Sequence, residues 1–169
     1  QGIVDNLENI LEIPNPLSCT VRLRQLTGGV FGDDNPKLER VKDMLEEITE
    51  SGHKALIFSQ WEQVTSVYKE ALKAYNPAYI VGAVDPEDRQ KEVDRFQNDP
   101  TCKVAIGTIG AMGTGLTMTA ASYVFFVDKR YWDAENKQAE DRAHRIGTTN
   151  TVNVVSLVAT NTVDEGIEE

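Results

Sequence analysis

Residues 138–147, Gln-Ala-Glu-Asp-Arg-Ala-His-Arg-Ile-Gly, hold the chain's densest group of side chains suited to chemistry. On a helix, positions four and seven apart share a face. That places the Gln138 amide and the Arg142 and Arg145 guanidiniums in one polar stripe. A guanidinium stays charged and presents a planar fork of donors, which suits a phosphoryl group in transfer. Two of them on one rigid element form a candidate arginine-finger stripe. The plainer alternative is a solvated face on which Asp141 and Arg145 pair for roughly 0.2–0.5 kcal/mol.

A second candidate is the glycine-rich run Ile109-Gly110-Ala111-Met112-Gly113-Thr114-Gly115-Leu116, which follows the apolar residues 103–106. Glycines there let backbone N–H groups approach a phosphate or ribose; a tight connection with no ligand is the alternative. It is not a Walker A loop, because no Gly-Lys-Thr or Gly-Lys-Ser occurs in the chain. This chain alone is therefore expected neither to hold nor to split ATP.

These residues need a scaffold, and the pattern supplies one. Residues 1–35 read as an irregular lead-in broken by Pro14, Pro16, Gly28, Gly29 and Gly32, with a short helical piece at Leu23-Arg24-Gln25-Leu26. From Pro36 the stripe Leu38, Val41, Met44, Leu45 and Ile48 predicts a helix that Gly52 ends. Ala55-Leu56-Ile57-Phe58 reads as a strand covered on both faces, and Ser59-Gln60-Trp61-Glu62 as a capping box opening a helix to about residue 74. Residues 78–81 follow as a strand, then a helix launched by Asp85-Pro86 and running to about Phe96. Residues 103–106, 123–127 and 152–158 are further strands, the first followed by a glycine-rich turn from Gly107 to Gly115, with helices expected around Gln138 and from about Thr162. Strands alternating with helices imply an α/β domain, a mostly parallel sheet with helices on both faces. Ligands then meet the loops at the carboxyl ends of the strands, where Ser59, Gly82, Thr108, Gly113, Gly115 and Asp128 fall. The expected division is 1–35 as lead-in and 36–169 as a single domain.

Bulk properties narrow the classes. The chain has 169 residues, 40% hydrophobic and 26% charged, as in an ordinary globular domain. No apolar run reaches a membrane span, so no membrane partner is expected. Opening on Gln1 reads as a piece of a longer protein. Cys19 and Cys102 form no CxxC and fit a reducing compartment, and two histidines offer no metal site. A net charge of −10 argues against a surface that is basic throughout, though not against a local strip that meets phosphates.

Taken in order, the segments resemble the motifs of superfamily-two helicases, and most closely the Swi/Snf family of ATP-dependent DNA translocases. Lys54-Ala55-Leu56-Ile57-Phe58-Ser59-Gln60 is similar to motif IV and residues 107–116 to motif V. Gln138, Arg142 and Arg145 match the Gln-x3-Arg-x2-Arg spacing of motif VI. Leu23-Arg24-Gln25-Leu26, Gly82 with Arg89 and Phe96, Asp128 with Trp132, and Thr162-Val163-Asp164-Glu165 extend the likeness over nearly the whole chain.

The resemblance implies the second of two RecA-like lobes. The first, outside this chain, would bind ATP and Mg through its Walker lysine and acids. Arg142 and Arg145 would reach across to the phosphates, and Gln138 would couple the cleft to closure. Gly113, Gly115 and Leu116 would face the nucleotide; Ser59, Gln60, Thr108, Gly110 and Arg89 would face double-stranded DNA. The alternatives are a catalytically silent RecA-like interaction module and the second lobe of an RNA helicase. Three positions depart from the family: Thr148 in place of Gln, Gly110 in place of Arg and Thr117 in place of Asn. The short interval from Trp132 to Gln138 suggests a compact bacterial or phage member, cytoplasmic, or nuclear if the source is eukaryotic.

Overall fold

A computed structural model of the chain describes residues 16–29, 35–112, 118–128, 151–160, 162 and 164. Its elements in order are α1 (Pro16–Thr27), α2 (Pro36–Glu50), β1 (Lys54–Ser59), α3 (Glu62–Ala71), β2 (Ala78–Ile80), α4 (Pro86–Asn98), β3 (Val104–Thr108), α5 (Ile109–Met112), β4 (Ala121–Phe126) and β5 (Asn153–Ser156). A single 3-10 turn, Lys73–Tyr75, closes α3.

The strands form one parallel sheet in the order β2-β3-β1-β4-β5. Ile80, Gly107, Phe58, Phe126 and Ser156 lie side by side in one row across it. β1 is central and its last five residues are buried, because helices cover both faces. On one face Leu56, Phe58, Val124 and Phe126 meet Val93 and Phe96 of α4. On the other, Ala55, Ile57 and Phe125 meet Leu38, Val41, Leu45 and Ile48 of α2, with Val64 and Tyr68 of α3. Each of those α2 side chains contributes about 1.5–3 kcal/mol by leaving water.

Local signals explain most boundaries. Asn35 caps α2 by accepting the Leu38 N–H at 3.0 Å, Pro36 takes the first turn, and Gly52 leaves the helix at φ +80°. Four expectations differ. The lead-in is more ordered than expected, since α1 spans twelve residues and docks through Gln25 Nε2 to Gln63 Oε1 at 3.0 Å. The capping box at Ser59 does not form: α3 starts at Glu62 with Trp61 as its cap, and the Ser59 hydroxyl turns elsewhere. Gly107, expected in a turn, belongs to β3, where a Cβ would stand 2.1 Å from the Ile80 carbonyl and 2.5 Å from Met112 Sδ. The last strand is four residues long rather than seven. The helices expected around Gln138 and after Thr162 lie outside the described residues.

Candidate functional site at the carboxyl edge of the sheet

The sheet order dictates where a ligand can approach. From β1 the chain runs through α3 to β2 on one side, whereas from β4 it goes to β5 on the other. Connections that diverge from adjacent strands leave a crevice at their carboxyl ends. In this chain the crevice between β1 and β4 is closed by its own side chains. Asp128, 4% exposed, accepts the Gln60 N–H on Oδ1 at 2.8 Å and the Ser59 hydroxyl on Oδ2 at 2.5 Å. Ser59 Oγ in turn accepts the Trp61 N–H at 3.0 Å, and the Val127 N–H extends the ladder to the Phe58 carbonyl at 2.9 Å.

A second polar layer lies behind this clasp. Lys37, in the first turn of α2, is buried, donates to the Val127 carbonyl at 2.7 Å and pairs with the Asp164 carboxylate. Asp164 also accepts the Thr27 hydroxyl at 3.1 Å, so α1, α2, the end of β4 and the chain beyond β5 meet at one ion pair. Burial pushes the Asp128 carboxyl above the usual range for aspartate, against the Ser59 and Gln60 hydrogen bonds and the charges of Lys37 and Arg24. Burial, then the Asp128 charge, also raises the Tyr68 phenol.

The candidate DNA-facing residues gather along this edge. Ser59 and Thr108 are register partners on β1 and β3, so Gln60 and Ile109 follow them off the same end of the sheet, with Gly110 next in α5. Gln60 and Thr108 are half-buried and Gly110 is exposed. Ser59 is only 1% exposed and its hydroxyl is bonded internally, which makes it a support for Gln60 rather than a surface group. Arg89 is not on these strand ends but in the first turn and a half of α4. It is half-buried, and among the described residues it forms no ion pair with Asp85 or Glu87, while its Nε has no hydrogen-bond partner there. Gln138, Arg142 and Arg145, like Gly113, Gly115 and Leu116, lie outside the described residues.

One member of the polar layer escaped the sequence reading as a site residue, Lys37. For Lys37 a signal existed: a cation in the first turn of a helix opposes the helix dipole and calls for a compensating partner. A cavity of about 540 Å³ opens beside it, between α1, α2 and the chain after β5; Leu26 and Thr162 line it, whereas none of the candidate nucleotide- or DNA-facing residues does. Among the described residues no group of three or more His, Cys, Asp or Glu could hold a metal ion, and no helix is long and apolar enough to cross a membrane.

A parallel sheet in this order, with polar loops gathered at its carboxyl edge and no Walker lysine, defines the class: a RecA-like lobe. The chain belongs to the family described as the helicase conserved C-terminal domain, whose model matches residues 36–147, and within it to the Swi/Snf type. It is 35% identical over 136 residues to the helicase SWR1 of Kluyveromyces lactis, covering 79% of this chain and 9% of that protein. With SWR1 of Saccharomyces cerevisiae it shares 32% identity over 169 residues, and with Protein CHROMATIN REMODELING 19 of Arabidopsis thaliana 36% over 135. The first covers 95% of this chain and 11% of that protein, the second 79% and 18%.

Among solved structures, the SWI2/SNF2 ATPase core of Sulfolobus solfataricus in complex with dsDNA superposes with a TM-score of 0.76 at 25% identity. It covers 99% of this chain and 38% of its own. The C-terminal part of the Fun30 ATPase domain gives 0.73 at 29%, covering 80% and 45%. The chain thus spans about a tenth to a fifth of the curated relatives named here. Those relatives are fungal and plant proteins and the core structure is archaeal, so the expectation of a bacterial or phage source finds no support.

Proposed function

We propose that this chain is the second motor lobe of a DNA-stimulated ATPase that tracks along double-stranded DNA. A first lobe of the same parent chain would hold ATP and Mg. Arg142 and Arg145 would close on the phosphates from this side, with Gln138 coupling that contact to lobe closure. Gly113, Gly115 and Leu116 would line the nucleotide side of the cleft. Gln60, Thr108 and Gly110 would present the carboxyl edge to the DNA backbone, Ser59 would support them from below, and Arg89 would add a flanking cation.

The observation that carries this reading is the shared edge. Motifs IV and V, far apart in sequence, emerge from register-paired strands at one row of the sheet. A neighbour of the same fold, the Sulfolobus core, was solved with dsDNA. The crevice between β1 and β4 is bridged by Asp128 and its hydrogen bonds, so the described residues offer no phosphate cradle there. That agrees with a lobe that completes a nucleotide site carried elsewhere. In a eukaryotic host such a motor would work in the nucleus.

The test is ATP hydrolysis by the two-lobed parent and by this chain alone, each without nucleic acid, with duplex DNA and with duplex RNA. The parent is expected to be stimulated by DNA and this chain to show no turnover. Stimulation by RNA and not DNA would replace the reading with an RNA helicase, and no turnover in any arm of the parent would replace it with an interaction module.

A further inference from the structure

The Asp128 carboxylate links two places that a motor must move together. Its Oδ1 holds the backbone N–H of Gln60, in the turn after β1, and its Oδ2 holds Ser59 at the last position of β1. Asp128 itself stands two residues past the end of β4, ten positions before Gln138. The carbonyl just before it, that of Val127, is pinned by the buried ammonium of Lys37. Every group in this chain of contacts is buried or half-buried, so a displacement at one end has little room to dissipate.

We propose that Asp128 is a positioning residue, locking the Gln60 turn to the end of β4 as one mechanical unit, so that DNA met at the turn is transmitted into the sheet. The proposal rests on the motor reading above. A carboxylate suits the task because its two oxygens accept two donors at once, one from backbone and one from a hydroxyl. Replacing Ser59 by Ala removes one leg, and replacing Asp128 by Asn removes the charge and one acceptor while keeping the shape. If both act through this one clasp, their effects on coupling should not add.

The experiment uses the two-lobed parent, with ATP turnover measured against duplex DNA concentration for wild type, Ser59→Ala, Asp128→Asn and the double variant. Amide hydrogen exchange at Gln60 is followed in the same proteins without DNA. The expected result is a rise of about tenfold in the DNA concentration needed for half-maximal stimulation, of the size of an ordinary coupling between sites. The KM for ATP should be unchanged, the double variant no worse than either single, and Gln60 exchange faster. Should Ser59→Ala fail to fold, Asp128→Asn, close to isosteric, carries the test. Variants with wild-type DNA dependence and the same KM in a DNA-stimulated parent would overturn the proposal and leave the motor reading intact. A wild-type parent that DNA does not stimulate would instead overturn the motor reading, and the proposal with it.

Discussion

The Lys37–Asp164 pair gives the sharpest stability prediction. Both side chains are less than a tenth exposed, so their mutual attraction is not diluted by water as a surface pair's would be. Changing Lys37 to Met keeps the length and the apolar stem but deletes the ammonium. Asp164 is then left buried with the Thr27 hydroxyl at 3.1 Å and the distant Ala159 N–H at 3.4 Å as its donors among the described residues, and the Val127 carbonyl loses its 2.7 Å donor. Breaking one side of a buried pair costs about 3–5 kcal/mol. In a domain of this size that lowers the melting temperature by roughly 6–20 °C.

Removing both partners, as Lys37→Met with Asp164→Leu, takes away the stranded charge and leaves mainly the unpaired Val127 carbonyl, about 1–3 kcal/mol. The double variant should therefore be more stable than the Lys37→Met single by roughly 2 kcal/mol. Urea unfolding of wild type, the two singles and the double reads the cycle directly. A single variant that loses less than about 1 kcal/mol would behave like an exposed pair and refute the argument. So would a double variant no better than the single.

Two further outcomes follow from the same packing. Gly107→Ala should destabilise by about 1–3 kcal/mol, since the new methyl would meet the Ile80 backbone carbonyl at 2.1 Å and the strand pairing must part to admit it; urea unfolding at wild-type stability would show that β2 and β3 are not paired as described. Asp128, whose carboxyl is raised by burial, binds its proton more readily folded than unfolded, so its contribution to stability is fully present below about pH 4 and is lost as pH rises through the raised value. Stability of wild type relative to Asp128→Asn should fall across that window in a pH series of urea melts, and a rise would reverse the assignment.

Much of the scaffold was legible because its signals are local. The Leu38, Val41, Leu45 and Ile48 stripe, Pro36 in the first turn and Gly52 at the stop all specify α2 within one segment. Asp85-Pro86 does the same for α4. The readings that missed depend on partners remote in sequence. Ser59 resembles a helix cap until Asp128, 69 residues on, takes its hydroxyl. Lys37 resembles a surface cation until Asp164, 127 residues on, is folded against it. Gly107 resembles a turn glycine, and only the closeness of Ile80 and Met112 shows that a strand needs it there. Of the site, the motif order was visible in the sequence, whereas the clasp that bridges the β1/β4 crevice became visible only with the sheet order.

The most direct test of the motor reading is DNA-stimulated ATP hydrolysis by the two-lobed parent carrying Arg142→Ala or Arg145→Ala, with ATP binding measured alongside. The account predicts that at least one substitution lowers turnover on the order of a thousandfold, as loss of an arginine finger does, while ATP still binds. Normal turnover in both variants would contradict it and return residues 138–147 to a solvated helix face.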